Sequence, residues 1–143
     1  MSKKNIYVLK DRRTYDLGKF TIKPIETWHD VENTSYLIDF KPNTMYYATD
    51  TCKLPDDECL KGLDMYCVEN NYQDDIINYH IQQAQEENDE NKLYYLQRTL
   101  RTHLSKSDCD SFLIENMTNK SSYVYLHMSK YNNTENGDFE RRD

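Results

Sequence analysis

At Asp74 the spacing of apolar residues changes from that of strands to that of helices, and the change fixes the order of elements the chain can form. Before it, short apolar runs are separated by turn residues. Residues 5–9 (NIYVL), 19–26 (KFTIKPIE), 35–40 (SYLIDF), 44–49 (TMYYAT) and 63–68 (LDMYCV) read as strands, with "DLG" and Lys41-Pro42-Asn43 as turn chemistry. After it, Ile76, Ile77, Tyr79, His80, Ile81 and Ala84 fall on one helical face. "EENDEN" (86–91) interrupts the pattern, and a second helix offers Leu93, Tyr94, Leu96, Gln97 and Leu100 as its inward stripe. Ser105 to Asp108 has capping-box spacing and opens a third helix through about Met117, with Phe112 and Leu113 inside. "SSYVYLHM" (121–128) returns to strand period. Strands, then helices, then one strand describe an α+β domain whose mixed sheet carries helices on one face.

A chain of 143 residues is the length of one domain with a buried core. Only 37% of residues are hydrophobic, but 13 are tyrosines, whose rings can fill a core while their hydroxyls stay polar. Residues 1–131 are expected to form the domain and 132–143 (NNTENGDFERRD) a polar, flexible tail. No apolar run reaches the length of a signal peptide core or a membrane span, so the expected location is the cytoplasm. There the four cysteines stay reduced, and none forms the C-x-x-C pair of a zinc knuckle.

The net charge of −7 is unevenly spread. Residues 1–24 hold seven Lys/Arg against two acids; residues 50–90 hold twelve acids against two lysines. The second balance repels nucleic acid and suits a basic protein surface, with Asp56, Asp57, Glu58, Asp74, Asp75, Glu86 and Glu87 as the candidate contact residues. A solvated acidic surface accounts for the same residues without any partner.

Four positions share a context that favours chemistry. His29 and Asp50 lie at strand ends, His103 precedes a helix cap, and His127 ends the last strand. In αβ sheets, ligands gather beyond the carboxyl ends of strands, and imidazole with carboxylate suits zinc, manganese or iron. Taken singly, each is as readily a hydrogen-bonding histidine or a turn acid.

The surrounding motifs resemble those of metallo-β-lactamase-fold hydrolases, in particular a phage and bacterial branch of small phosphodiesterase- and nuclease-like members. The matching stretches are His29-Asp30, Ser35-Tyr36-Leu37-Ile38, Tyr47-Ala48-Thr49-Asp50-Thr51, Glu69-Asn70-Asn71-Tyr72, His103-Leu104-Ser105 and Leu126-His127-Met128-Ser129. The resemblance implies half of an αββα sandwich. It places His29, Asp50 and His127 on metal-ligand positions, with Asp50 the bridging carboxylate, and His103 beside the site for phosphate contact or proton transfer. The family's H-x-H-x-D-H signature, which supplies four further ligands, is absent. Two protein ligands per metal fall below the three or four that hold a catalytic zinc.

Two functions are consistent with this. The first is a non-catalytic acidic interaction protein derived from half a metallo-hydrolase, such as a phage-type inhibitor of a nucleic-acid-binding or CRISPR-type nuclease machine in the host cytoplasm, with no metal or partial zinc or manganese. The alternative is a metal-dependent phosphodiesterase or other hydrolase whose site is completed by a second chain or by dimerisation, His103 then being catalytic. Both imply a homodimer or hetero-complex, with a basic surface or a complementary half-chain as partner, no membrane and no direct nucleic-acid contact. In both, the sheet face that the other half would cover needs an occupant.

Overall fold

The computed structural model describes residues 7–134. Its sheet has six strands in sequence order: β1 (Tyr15–Asp16), β2 (Thr21–Thr27), β3 (Asn33–Asp39), β4 (Thr44–Ala48), β5 (Met65–Glu69) and β6 (Ser122–Leu126). The first four pair antiparallel, whereas β4–β5 and β5–β6 are parallel. A parallel step needs a crossover. The β4–β5 crossover carries one 3-10 turn (Glu58–Leu60); the β5–β6 crossover carries α1 (Asp74–Glu86), α2 (Glu90–Thr102) and α3 (Lys106–Asn116). Because β2 and β4 each run antiparallel to β3, the strands β2, β4, β5 and β6 all point the same way.

The sheet has two unlike faces. On one, Ile25, Tyr46, Ala48, Tyr66 and Val68 pack with Phe112 and Leu113 of α3 into the main core. The buried tyrosines satisfy their hydroxyls: Tyr46 donates to Ser35 Oγ at 2.8 Å, and Tyr66 joins Leu60 O, Leu63 N and Asn116 O. On the other face the register aligns Ile22, Ile38, Met45 and Met65 in one row, and Tyr36, Tyr47 and Cys67 in the next. Tyr47 and Met65 there are 38% and 37% exposed. Among the described residues, no helix packs on this apolar face as α3 does in the main hydrophobic cluster.

The sequence reading anticipates β2 to β6 and the three helices but not β1, with several shifts. Residues 7–9 of the expected first strand form none, and 5 and 6 lie outside the described residues. The first hairpin is β1–β2 around Gly18, whose φ of +86° suits a residue without a side chain. On α2 the inward stripe is turned from expectation. Leu96, Thr99 and Thr102 are buried, while Tyr94 is 64% exposed and Gln97 is exposed. Two threonines do this by donating their hydroxyls to the carbonyls four residues back, Tyr95 O and Arg98 O. Tyr79 on α1, also expected inside, is 58% exposed. Ser105 caps α3 as its spacing indicates, accepting from Asp108 N at 3.1 Å. Asn132 and Asn133, assigned by sequence to the tail, are buried, and Thr134 donates to Gln73; 135–143 lie outside the described residues. No described helix is long and apolar enough to cross a membrane.

Asp57 anchors the β4–β5 crossover. Its carboxylate accepts from Cys59 N at 3.0 Å and from Arg12, and these contacts hold its pKa down to about 2. A depressed folded-state pKa stabilises above the unfolded carboxyl value and is lost as pH falls through the folded one. Asp57→Asn keeps a capping oxygen but removes the charge facing Arg12, and should cost about 1 kcal/mol at pH 7, with the difference from wild type shrinking between pH 4 and pH 2 in parallel urea titrations.

Candidate metal and acid-base site

Four chain segments converge at one edge of the sheet, beyond the carboxyl ends of the co-directional strands. His29 follows β2, Asp50 follows β4, Glu69 ends β5 and His127 follows β6. His103, the residue at the end of α2, joins them. One donor atom from each of Asp50, Glu69, His103 and His127 lies within 4.8 Å of all the others.

Glu69 sits at the centre and is fully buried. Its Oε1 accepts from His103 Nδ1 at 2.7 Å and from His127 Nδ1 at 3.1 Å, and its Oε2 accepts from Thr51 N at 2.7 Å. Burial would raise the carboxyl, but the hydrogen bonds from His103, His127 and Thr51 N–H outweigh it and hold the group below its ordinary value. The same contact raises His127: the Glu69 hydrogen bond favours its charged form against burial, helped by the charges of Glu69 and Asp50. Asp50 Oδ1 also lies 3.1 Å from His127 Nδ1. The single Nδ1 proton goes to Glu69, which alone has hydrogen-bonding geometry to it, so Asp50 keeps its lone pairs.

Backbone geometry aims these side chains. Asp50 and His127 have φ of +53° and +52°, in the left-handed region that residues with a Cβ enter at a cost. Both bends are clamped. Asn33 Nδ2 donates to Thr49 O at 2.9 Å and to Asp50 O at 2.5 Å, and Asn71 Nδ2 donates to His127 O at 2.7 Å. Thr51 Oγ1 accepts from Trp28 N and donates to Lys53 O, while Cys52 N donates to Trp28 O, which ties the end of β2 to the end of β4.

His29 stands at the rim. Its ring centroid is 5.7 Å from that of His103, which in turn lies 4.9 Å from that of His127. It is outside the tight group of four, and its Nδ1 sits 2.5 Å from Asp30 Oδ1 without hydrogen-bonding geometry. The structure thus brings Asp50, His103 and His127 together, with His29 adjacent. Glu69 is the residue that sequence reasoning missed as part of the site. Its signal was there, since an acid as the last residue of the apolar run MYCVE must end buried or at a strand end.

The seven candidate partner-binding acids are not one free surface. Asp57 is bound by Arg12 and Cys59 N, Glu58 by Lys61, and Asp74 accepts from Ser107 Oγ. Glu86 accepts from Gln82, and Glu87 lies 4.0 Å from Lys92. Asp56 borders a cavity between the 52–56 loop and α3, and Asp75 is exposed in the first turn of α1.

Comparison with protein families and with curated sequences gives no match. Solved structures do match. The metallo-β-lactamase fold protein YhfI from Bacillus subtilis aligns over 94% of this chain and 47% of its own, at 16% identity and TM-score 0.64. A diphosphatase from the PhnP family aligns over 90% and 41%, at 16% and 0.58, and human tRNase Z, short form, over 81% and 38%, at 14% and 0.54. At such identities the likeness concerns the fold. The chain has the architecture of part of a metallo-β-lactamase fold, and it spans less than half the length of these three proteins.

The buried carboxylate and the strained backbone at Asp50 predict opposite responses. Glu69→Ala leaves Thr51 N–H and two imidazoles without their acceptor and should cost about 3 kcal/mol. Asp50→Gly relieves a left-handed residue and should leave stability unchanged or raise it by up to about 1 kcal/mol. Urea denaturation measures both, and a large loss in Asp50→Gly would contradict the strain assignment.

Proposed function

We propose that this edge of the sheet is half of a metal-dependent hydrolase site acting on phosphoesters. The observation that carries the reading is the convergence of Asp50, His103 and His127 on a buried Glu69, with two of the donors held in left-handed backbone. Strain retained at polar, solvent-facing side chains is characteristic of functional positions.

The donor set fits a divalent zinc- or manganese-type ion in part. Asp50 offers carboxylate oxygens, and His127, its Nδ1 engaged by Glu69, offers Nε2. A histidine oriented by a carboxylate behind it is the usual arrangement around such ions. His29 stands at the rim, outside this group. A bound ion would lower the pKa of a water and polarise the phosphoryl oxygen. The chain's own residues do the rest. Asp50 and His127 hold the ligand side, and Glu69 fixes both imidazoles through their Nδ1 protons. His103 thereby presents Nε2, the lone pair able to take a proton from an attacking water and return it to the leaving oxygen.

Catalytic zinc takes three protein ligands and an open position. The remaining donors come, on this reading, from a complementary half of the fold, in the same or another polypeptide. Its docking place is the apolar sheet face that carries Tyr36, Tyr47, Met45 and Met65. A homodimer or a hetero-complex meets this need equally.

The interaction-protein reading, with its phage-type inhibitor, rests on the incomplete ligand set and on the acidity of residues 50–90. Five of its seven proposed contact acids have partners within the chain, so that surface is less available than composition implies. The hydrolase reading gives the strained, converging side chains a present role, whereas the interaction reading treats them as inherited.

Metal-dependent thermal unfolding tests the proposal. Zinc or manganese should raise the melting temperature of the wild type, because an ion that binds only the folded state stabilises it. The rise should vanish in Asp50→Ala and in His127→Ala. Equal shifts in all three proteins, or none in any, would remove the reading.

A further inference from the structure

Beside His29 lies a cleft of about 340 Å³ lined by His29, Asp30, Tyr94, Arg98, Arg101 and Thr102. In a chain of net charge −7 its charge is inverted, with two guanidinium groups against one carboxylate. Tyr94, Arg98 and Arg101 sit four and three residues apart on α2, so they share one face of that helix. Arg98 is held in place: its Nε and Nη2 donate to Asp30 Oδ2 at 3.1 and 2.7 Å. That pair uses the only carboxylate lining the cleft. Arg101 has no ion-pair partner among the described residues and stays exposed. Tyr94, expected in the core, instead leaves its ring 64% exposed at the same mouth.

The cleft is continuous with the candidate site. Asp30 touches His29, whose ring neighbours that of His103. A group bound by Arg101 would therefore lie next to whatever occupies the Asp50–His127 position. Arginine's planar fork suits phosphate, and an exposed aromatic ring suits stacking of a flat base or sugar face.

We infer that this cleft is a subsite for a second phosphate of the substrate, with Arg101 as its anion-binding residue and Arg98 as its positioned wall. The inference rests on the hydrolase reading, and it narrows the substrate to phosphodiesters that carry a further phosphate adjacent to the scissile one. The acidity of residues 50–90 then works as selection, repelling polyanions from that segment but not from this mouth.

Trp28, the chain's one tryptophan, precedes His29 and is 47% exposed, so its fluorescence reports on the region. The test titrates the full chain, in EDTA, with 5′-phosphorylated dithymidine and with thymidine 5′-monophosphate. The two-phosphate ligand should bind about tenfold more tightly, the worth of one charge-assisted contact of about 1.4 kcal/mol. Arg101→Gln should abolish that preference, and Arg101→Lys should keep part of it, with far-UV circular dichroism confirming that both variants fold. Inorganic pyrophosphate distinguishes the source of the second phosphate. Affinity equal to the dinucleotide supports a diphosphate group, and weaker affinity supports a nucleotide strand with its base on Tyr94. Equal affinity for the one- and two-phosphate nucleotides, or a preference that survives in Arg101→Gln, would overturn the subsite. Because this titration excludes metal, it is read independently of the melting experiment. An Arg101-dependent preference without a metal-dependent shift would support the subsite and remove the hydrolase reading; the reverse would overturn the subsite alone.

Discussion

A carboxylate with no solvent contact cannot remain ionised unless nearly all its lone pairs are engaged, and Glu69 meets this condition with donors from three separate segments. Thr51 N comes from the loop after β4, His103 from the end of α2, and His127 from the end of β6. The charge and the convergence of strand ends therefore depend on one another. If any of the three segments drew away, a buried anion would lose a partner. If the anion were absent, two imidazoles and a main-chain N–H would have no reason to meet.

That dependence explains why strained backbone persists at Asp50 and His127. Each left-handed bend turns the chain sharply at a strand end, and each is held by an asparagine amide that reaches across to the bent carbonyl. The sheet's direction supplies the rest. A mixed sheet in which β2, β4, β5 and β6 all point the same way gathers four carboxyl ends on one edge. A wholly antiparallel sheet of the same strands would send alternate ends to opposite edges.

The element types were legible because apolar period is a local property. The strand of residues 44–49 and the helix opened by Ser105 lie within a residue or two of their expected limits. The inward face of α2 was not legible, since Thr99 and Thr102 hide their hydroxyls in bonds to their own helix and so serve as core residues while counting as polar. The candidate positions His29, Asp50 and His127 could be named from motifs at strand ends, but their separation into an inner group and a rim could not. It depends on Glu69, whose partners lie 18, 34 and 58 residues away in sequence. The acidic segment shows the same limit: composition counts charges but does not show that Asp57 or Asp74 is already bound within the chain.

Anomalous diffraction from crystals soaked in zinc tests the central claim most directly. The account predicts an ion on Asp50 oxygen and His127 Nε2, with His127 Nδ1 still hydrogen-bonded to Glu69. An ion seated instead on surface acids such as Asp56, or a His127 ring turned away from Glu69 to bind through Nδ1, would contradict it.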